Sequence, residues 1–451
     1  MKKTVLKIFS VIMIMLILVF SSGCSFNLFS IESLLAPPVL PGKNGEVQTA
    51  FSKLMNSKTI QLKTPSKGSY KSSFILYDID NNGEEEALVF YTDTSVDTSV
   101  RIALMECVNG TWVISSDVKG SGSGVYAVDF SDFNGDGKAE ILVGWSLFEN
   151  KTSRIITSYS ADKGDTGVMT LNIILNEYYN LTHTVDFNSD GNNDLILVYL
   201  DDSGEMPKTY FRAFSLSDDN RMVKFSELLL DSAAVSVSSV KSDIASSDKG
   251  DYSRIFIDFY KSDNSMFTDV VIWNNEKLKA KRIYDDSSVS TLRSSKLSSS
   301  DFDGDGRIEI PVTDSLPGKD EDLSVTVSNE VYTFTLIKWL NVSGDKSEGN
   351  IYTVFNPLHS YLFRYIWNGA VSARYDIFRG ALVFYEWDDD NNEIVNELFS
   401  VYFVENGVET FTDGTKILYQ SDNGVYYYSI TNFGREFGIT DETLISSFIK
   451  I

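Results

Sequence analysis

Four nine-residue stretches carry side-chain oxygens at alternating positions. The fullest reads Asp132-Phe133-Asn134-Gly135-Asp136-Gly137-Lys138-Ala139-Glu140, and the others start at Asp78, Asp186 and Asp301. Positions 1, 3, 5 and 9 are Asp78, Asp80, Asn82 and Glu86 in the first, and Asp132, Asn134, Asp136 and Glu140 in the second. They are Asp186, Asn188, Asp190 and Asp194 in the third, and Asp301, Asp303, Asp305 and Glu309 in the fourth. Calcium takes roughly six to eight hard oxygen ligands from a tightly turning loop. Here alternate side chains can point inward and the carbonyl of position 7 can add a ligand. Gly83, Gly137, Gly191 and Gly306 at position 6 permit the turn, and the acid at position 9 closes the shell. Up to four Ca2+ sites are expected. The absence of His and Cys from these sets argues against zinc and copper. An EF-hand would need Glu at position 12, where Val89, Val143, Leu197 and Val312 stand instead. Those residues belong to apolar strands.

The spacing of the loops indicates the fold that positions them. The first three start 54 residues apart, and the fourth follows the third by 115, about two periods. A degenerate unit is therefore expected near residue 243. Val240 to Ala245, the polar break Ser246 to Gly250 and Ile255 to Phe259 supply its strands without the acids, so no site is assigned there. Within the second period four strands are expected: Val125–Phe130, Glu140–Trp145, Arg154–Tyr159 and Met169–Leu175. About four strands in each period of about 50 residues is the pattern of an all-β propeller with one blade per repeat. Five to seven blades are expected over 44–345. Residues 346–451 read as a small β-rich C-terminal domain ending in a helix, or as further degenerate blades. Asp441 can cap that helix, whose Leu444, Ile445, Phe448 and Ile449 share a face. An N-terminal helix from Gly45 to Asn56 would present Val47, Phe51 and Leu54 on one stripe.

Other chemistry has little support. The two histidines, His183 and His359, read as packed or solvated residues, and no G-x-S-x-G, P-loop or dinucleotide fingerprint occurs. No catalytic residue is assigned. A carboxylate pair for glycoside hydrolysis is the surviving enzymatic alternative. The tryptophans mostly lie in apolar strand-like stretches and read as packing. A formal net charge of −24 disfavours nucleic acid and anionic headgroups as partners.

The N-terminus reads as an address. Lys2, Lys3 and Lys7 precede the apolar run Ile8 to Phe20, followed by Ser21-Ser22-Gly23-Cys24. Residues 1–23 are expected to be a signal peptide and 24–43 a Pro-containing tether. Cys107, the other cysteine, sits in an apolar strand and is expected to be buried and inert.

Ser21 to Cys24 resembles a bacterial lipobox, with Ser21 where Leu is usual. Each of the four loops with its following strand resembles the FG-GAP/VCBS repeats of integrin-α-type propellers. Together with Leu34-Leu35-Ala36-Pro37-Pro38 and Tyr70 to Tyr91, they are similar to VCBS-repeat lipoproteins of Gram-positive bacteria. The resemblance covers roughly residues 20–315. It implies a lipid on Cys24, an extracytoplasmic place on the cell membrane, and structural calcium within blades. The expected function is a binding or scaffold module for a protein or cell-wall glycan. The alternative is a polysaccharide hydrolase or lyase using carboxylates in the propeller cleft.

Overall fold

The computed structural model describes residues 41–451 apart from 56–58, 148–153, 165–166, 206, 231–233, 248–249, 275–276, 278, 284–289, 319–323, 344–345 and 407–413. The expected leader 1–23, Cys24 and most of the tether lie outside the described residues. The chain divides into two compact units, Met1–Ser57 and Lys58–Ile451. The first contributes helix α1 (Lys43–Leu54), which buries Val47 and Phe51. Leu54 does not complete the stripe and is half exposed. No helix among the described residues is long and apolar enough to cross a membrane.

The second unit is all-β, and its sheets follow one another along the chain. The first sheet holds β1 (Ile60–Leu62), β2 (Phe74–Tyr77), β3 (Glu86–Asp93), β4 (Val100–Val108) and β5 (Thr111–Lys119). The second is the antiparallel meander β6 (Gly124–Ser131), β7 (Glu140–Ser146), β8 (Arg154–Lys163) and β9 (Met169–Tyr179). The third repeats it as β10 (Leu181–Val185), β11 (Asp194–Asp201), β12 (Lys208–Leu216) and β13 (Met222–Leu229). The fourth, at the expected degenerate unit, is β14 (Ser236–Ser247), β15 (Gly250–Tyr260), β16 (Met266–Asn274) and β17 (Lys279–Arg282).

The fifth sheet starts with β18 (Glu309–Asp314). The hairpin β19 (Ser324–Val327) and β20 (Glu330–Thr333) then pairs only with itself. The sheet resumes with β21 (Thr335–Ser343), β22 (Lys346–Asn356) and β23 (Tyr361–Arg364). The sixth comprises β24 (Val371–Asp376), β25 (Ala381–Asp388), β26 (Glu393–Glu405), β27 (Lys416–Gln420) and β28 (Gly424–Ile430). Helices α2 (Asn432–Glu436) and α3 (Asp441–Ser447) follow, and β29 (Phe448–Lys450) returns to pair with β23.

A domain border at 346 would cut the fifth sheet, because Val342 pairs with Ser347 and Ser343 with Lys346. The sixth sheet then continues the series of meanders. The terminal helix also differs from expectation. Its cap is Thr440, whose side chain accepts from the Thr443 N–H, and Phe448 and Ile449 lie in a strand.

The strand that follows each acidic loop is deeply buried. Leu88, Val89 and Phe90 on β3 and Ile196, Leu197 and Val198 on β11 are essentially inaccessible. Such strands are covered on both faces, which explains their continuous apolar runs. Outer strands such as β9 alternate buried and exposed residues instead. Consecutive sheets share cores. Leu88 and Phe90 pack with Ile141 and Val143, Leu142 with Leu195 and Leu197, Ile196 and Val198 with Ile255 and Ile257. Phe256 packs with Ile310 and Val312, and Val354 and Phe363 with Leu382 and Phe384.

Cys107 is exposed, contrary to the expectation from its apolar strand. It stands beside the β4–β5 turn at Asn109-Gly110, opposite Trp112, where the apolar run has passed the end of the core. The neighbour that turns inward is Glu106, which accepts from the Met169 N–H at 3.0 Å.

Candidate metal centres

Each acidic loop leads directly into a deeply buried strand. Position 9 is the first residue of β3, β7, β11 or β18. Its side chain is therefore fixed by the burial of the strand that it opens: Glu86, Glu140, Asp194 and Glu309 are all buried. Position 2 anchors the other end of the loop. Ile79, Phe133 and Phe187 sit in the shared cores, and Phe302 stacks on Trp339 at 4.0 Å.

The internal wiring is the same in all four loops. At position 1, one carboxylate oxygen accepts from the position-6 glycine N–H: Asp78 from Gly83 at 2.9 Å, Asp132 from Gly137 at 2.8 Å, Asp186 from Gly191 at 3.0 Å and Asp301 from Gly306 at 3.0 Å. The position-9 carboxylate accepts from the position-2 N–H, at 2.9 Å in Glu86, 3.1 Å in Glu140, 3.0 Å in Asp194 and 2.9 Å in Glu309. At position 5, Asn82, Asp136, Asp190 and Asp305 each accept from the N–H two residues on. The glycines at position 6 have φ between +85° and +95°, a left-handed conformation that explains the residue type. Position 4 is also left-handed, as Asn81, Gly135, Ser189 and Gly304. The sequence reading had not singled it out.

Two of the loops bring positions 1, 3 and 9 together. Ligand atoms of Asp78, Asp80 and Glu86 lie within 4.8 Å of one another, as do those of Asp301, Asp303 and Glu309. In the second and third loops position 3 is an amide. Asn134 donates to Asp136 at 3.3 Å and Asn188 to Asp190 at 2.8 Å.

The donor set fits a hard cation. Asp80 Oδ1, Asp194 Oδ1 and Glu309 Oε1 are buried without a hydrogen-bond partner. An orphaned buried oxygen is costly and rare in folded proteins. Burial, followed by the neighbouring loop acids, pushes Glu140 and Glu309 up to about 7. The same burial and charge push Glu86 and Asp194 up to about 7, against an opposing backbone hydrogen bond in each case. Negative charge is thus collected here faster than the backbone amides can compensate it.

The loops also touch the next unit. Ala139 donates to the Ile79 carbonyl at 2.9 Å, Asn193 to the Asp132 carbonyl at 3.1 Å and Ser253 to the Asp186 carbonyl at 2.6 Å. Lys163 of β8 bonds Asp80 at 2.6 Å, so the first loop already holds one internal cation.

The degenerate fourth unit solves the same position differently. Asp243 and Arg254 are register partners, as Ser131 and Glu140 are in the second sheet and Val185 and Asp194 in the third. Ile255 and Ile257 share a core with the third sheet and Phe256 with the fifth, as Ile141 and Val143 do with the first and Leu142 with the third, so Arg254 stands where the other units place their position-9 acid. It forms a bidentate pair with Asp243, both 1 % exposed, and also donates to the Val342 carbonyl. Asp243 accepts from the Ile308 N–H, at position 8 of the fourth loop, at 2.6 Å. In the same sheet Asp258 pairs with the fully buried Arg293 at 2.8 Å.

The histidines are packed. His183 bonds Ser242 at 2.8 Å and His359 bonds Tyr375 at 3.2 Å, and burial lowers both below the usual histidine range. Trp112, Trp145, Trp273, Trp339 and Trp387 are buried, which leaves their faces to the core.

Neither a protein-family model nor a curated protein matches the chain. Among solved structures, a protein from Lactobacillus plantarum aligns over 73 % of this chain and 85 % of its own, at 10 % identity and a TM-score of 0.26. At that score the likeness carries no statement of fold or function.

Proposed function

We propose that this chain is a calcium-stabilised, non-enzymatic binding or scaffold module. The observation that carries the reading is the common wiring of four loops whose buried carboxylates lack sufficient positive charge. Calcium at Asp78, Asp80, Asn82 and Glu86 and their counterparts would supply that charge and tie each loop to the strand it precedes. The six meanders are read as six blades of a β-propeller. The loops and strands are read as FG-GAP/VCBS-type repeats. The lipobox-like Ser21 to Cys24 supports a lipid on Cys24 and an extracytoplasmic, membrane-anchored place, with a protein or cell-wall glycan as ligand.

Carboxyls raised toward neutrality also suit general acids. Their repetition in four equivalent loops favours metal sites over a single catalytic pair. Incubation of the pure chain with wall polysaccharides should release no product, by reducing-end assay and mass spectrometry. Reproducible turnover would overturn the non-enzymatic reading.

A further inference from the structure

The first loop differs from the other three in what reaches it from the next sheet. Lys163, the last residue of β8, donates to Asp80 Oδ2 at 2.6 Å. Asp80 is the position-3 acid, and its other oxygen, Oδ1, is buried without a hydrogen-bond partner. A second acceptor stands beside the same ammonium. Glu106 Oε1, on β4, lies 3.7 Å from Lys163 Nζ, while Glu106 Oε2 accepts from the Met169 N–H. The Lys163 side chain is 40 % exposed and has room to move, whereas those of Asp80 and Glu106 are 13 % and 10 % exposed.

The later units lack this cation. Lys163 closes the β8–β9 ladder opposite Met169, and the residues in the same place in the third and fourth sheets are Leu216 and Asn274. Leu216 lines a cavity of about 240 Å³ together with Asn134, Asp136 and Glu140, so the second loop faces open space where the first faces an ammonium. Among the described residues, no acid of the second, third or fourth loop pairs with a lysine or arginine.

We infer that Lys163 is a stand-in cation for the first loop: it holds Asp80 when calcium is absent and passes to Glu106 when calcium enters. This rests on the calcium reading and adds how one of its sites is regulated. A divalent ion on Asp80 repels an ammonium held by the same carboxylate, and Glu106 is already within ion-pairing distance to receive it. Asp80 and Glu106 both belong to the first sheet and Lys163 to the second, so the two sheets stay tied in either state. The first loop can therefore empty and refill without opening, whereas the second has only a neutral neighbour to close on.

Hydrogen-exchange mass spectrometry of the full chain across a calcium series reads each loop separately, from peptides spanning 78–86, 132–140, 186–194 and 301–309. In EDTA the first loop should be better protected than the second, and Lys163→Met should remove that advantage. With calcium, Lys163→Met should lower the midpoint of the first loop about two- to fivefold, as a partly exposed pair implies, and leave the other midpoints in place. Glu106→Gln keeps an acceptor for Met169 and should raise the first midpoint, but only where Lys163 is present. Lower protection in Lys163→Met with and without calcium, at an unchanged midpoint, would reveal a plain ion pair and overturn the inference. Equal effects of Glu106→Gln in the parent and in Lys163→Met would overturn it too, because Glu106 would then act on calcium directly. If the other three loops answer to calcium and the first does not, the inference falls and the calcium reading stands for those three. If no loop answers, both fall.

Discussion

In the first, second, third and fifth sheets the strand after the loop opens with a buried acid; in the fourth the corresponding position holds Arg254. The four acidic units use a long loop to collect carboxylates, whose counter-charge is calcium in the reading proposed above. The fourth, in which Ser247 pairs with Gly250, carries its cation within the chain as a guanidinium facing Asp243. The sixth sheet is intermediate. Its short turn pairs Asp376 with Arg379 at 2.7 Å, and Arg379 also grips Glu397, with all three partly exposed. On that reading the two differ in their dependence on solvent: an internal arginine is always present, whereas a metal loop is only as stable as the calcium around it.

The largest expected effect breaks the internal pair. Arg254→Met leaves Asp243 buried and uncompensated, and should cost about 3–5 kcal/mol in denaturant melts, with or without calcium. Arg254→Met with Asp243→Leu should recover most of that loss, since replacing both members of a buried pair by apolar residues is often near neutral. If the single variant melts like the parent, the pair does not carry the fourth unit.

The next effect concerns loop conformation alone. Gly191 and Gly306 have φ of +95° and +86°, and a Cβ on either would meet nothing within 4 Å. Alanine at either should therefore cost about 1–2 kcal/mol purely through the left-handed backbone. That loss should be read as a lower melting temperature in EDTA.

The loops should also answer to pH. Glu86, Glu140 and Glu309 are raised from 4.5, and Asp194 from 3.8, to about 7. A carboxyl whose pKa is raised on folding holds its proton more tightly in the folded chain. Its contribution to calcium-free stability is therefore present at low pH and lost as pH rises from the ordinary carboxylate range through about 7. Calcium needs these groups ionised. The melting shift produced by calcium should accordingly grow from pH 5.5 to pH 8, and a shift that shrinks over that interval would contradict the assignment. The smallest effect is expected at Lys163, which competes for Asp80. Lys163→Met should change stability by less than about 1 kcal/mol, as a partly exposed pair implies. It should also move the calcium midpoint of the first loop downward in concentration.

How much of this could be read from residue types depends on the distance over which each device is encoded. The acids at positions 1, 3, 5 and 9 and the glycine at position 6 are legible because they fall within nine residues and recur. The left-handed position 4 was partly visible in Asn81, Gly135 and Gly304, but Ser189 hides it. The Asp243–Arg254 pair was not legible. Its members lie eleven residues apart and meet only through hairpin register, so the segment showed no more than lost acids. Polar composition near 344–349 suggested a border, yet the flanking residues are paired strands, since backbone pairing does not require apolar side chains. Cys107 misled for a related reason: an apolar run does not say where along a strand the core ends.

The most direct test is a thermal melt of the chain with calcium titrated against EDTA, at neutral pH. Calcium sites of extracellular modules have dissociation constants of about 10⁻⁴–10⁻³ M, and a hundredfold excess over such a value adds about 2.7 kcal/mol per site. The melting temperature should rise through that range. The rise should shrink in Asp136→Ala and in Asp305→Ala, and persist when Asp243 and Arg254 are replaced together. A melting temperature indifferent to calcium in the parent chain would contradict the assignment of these four loops to metal.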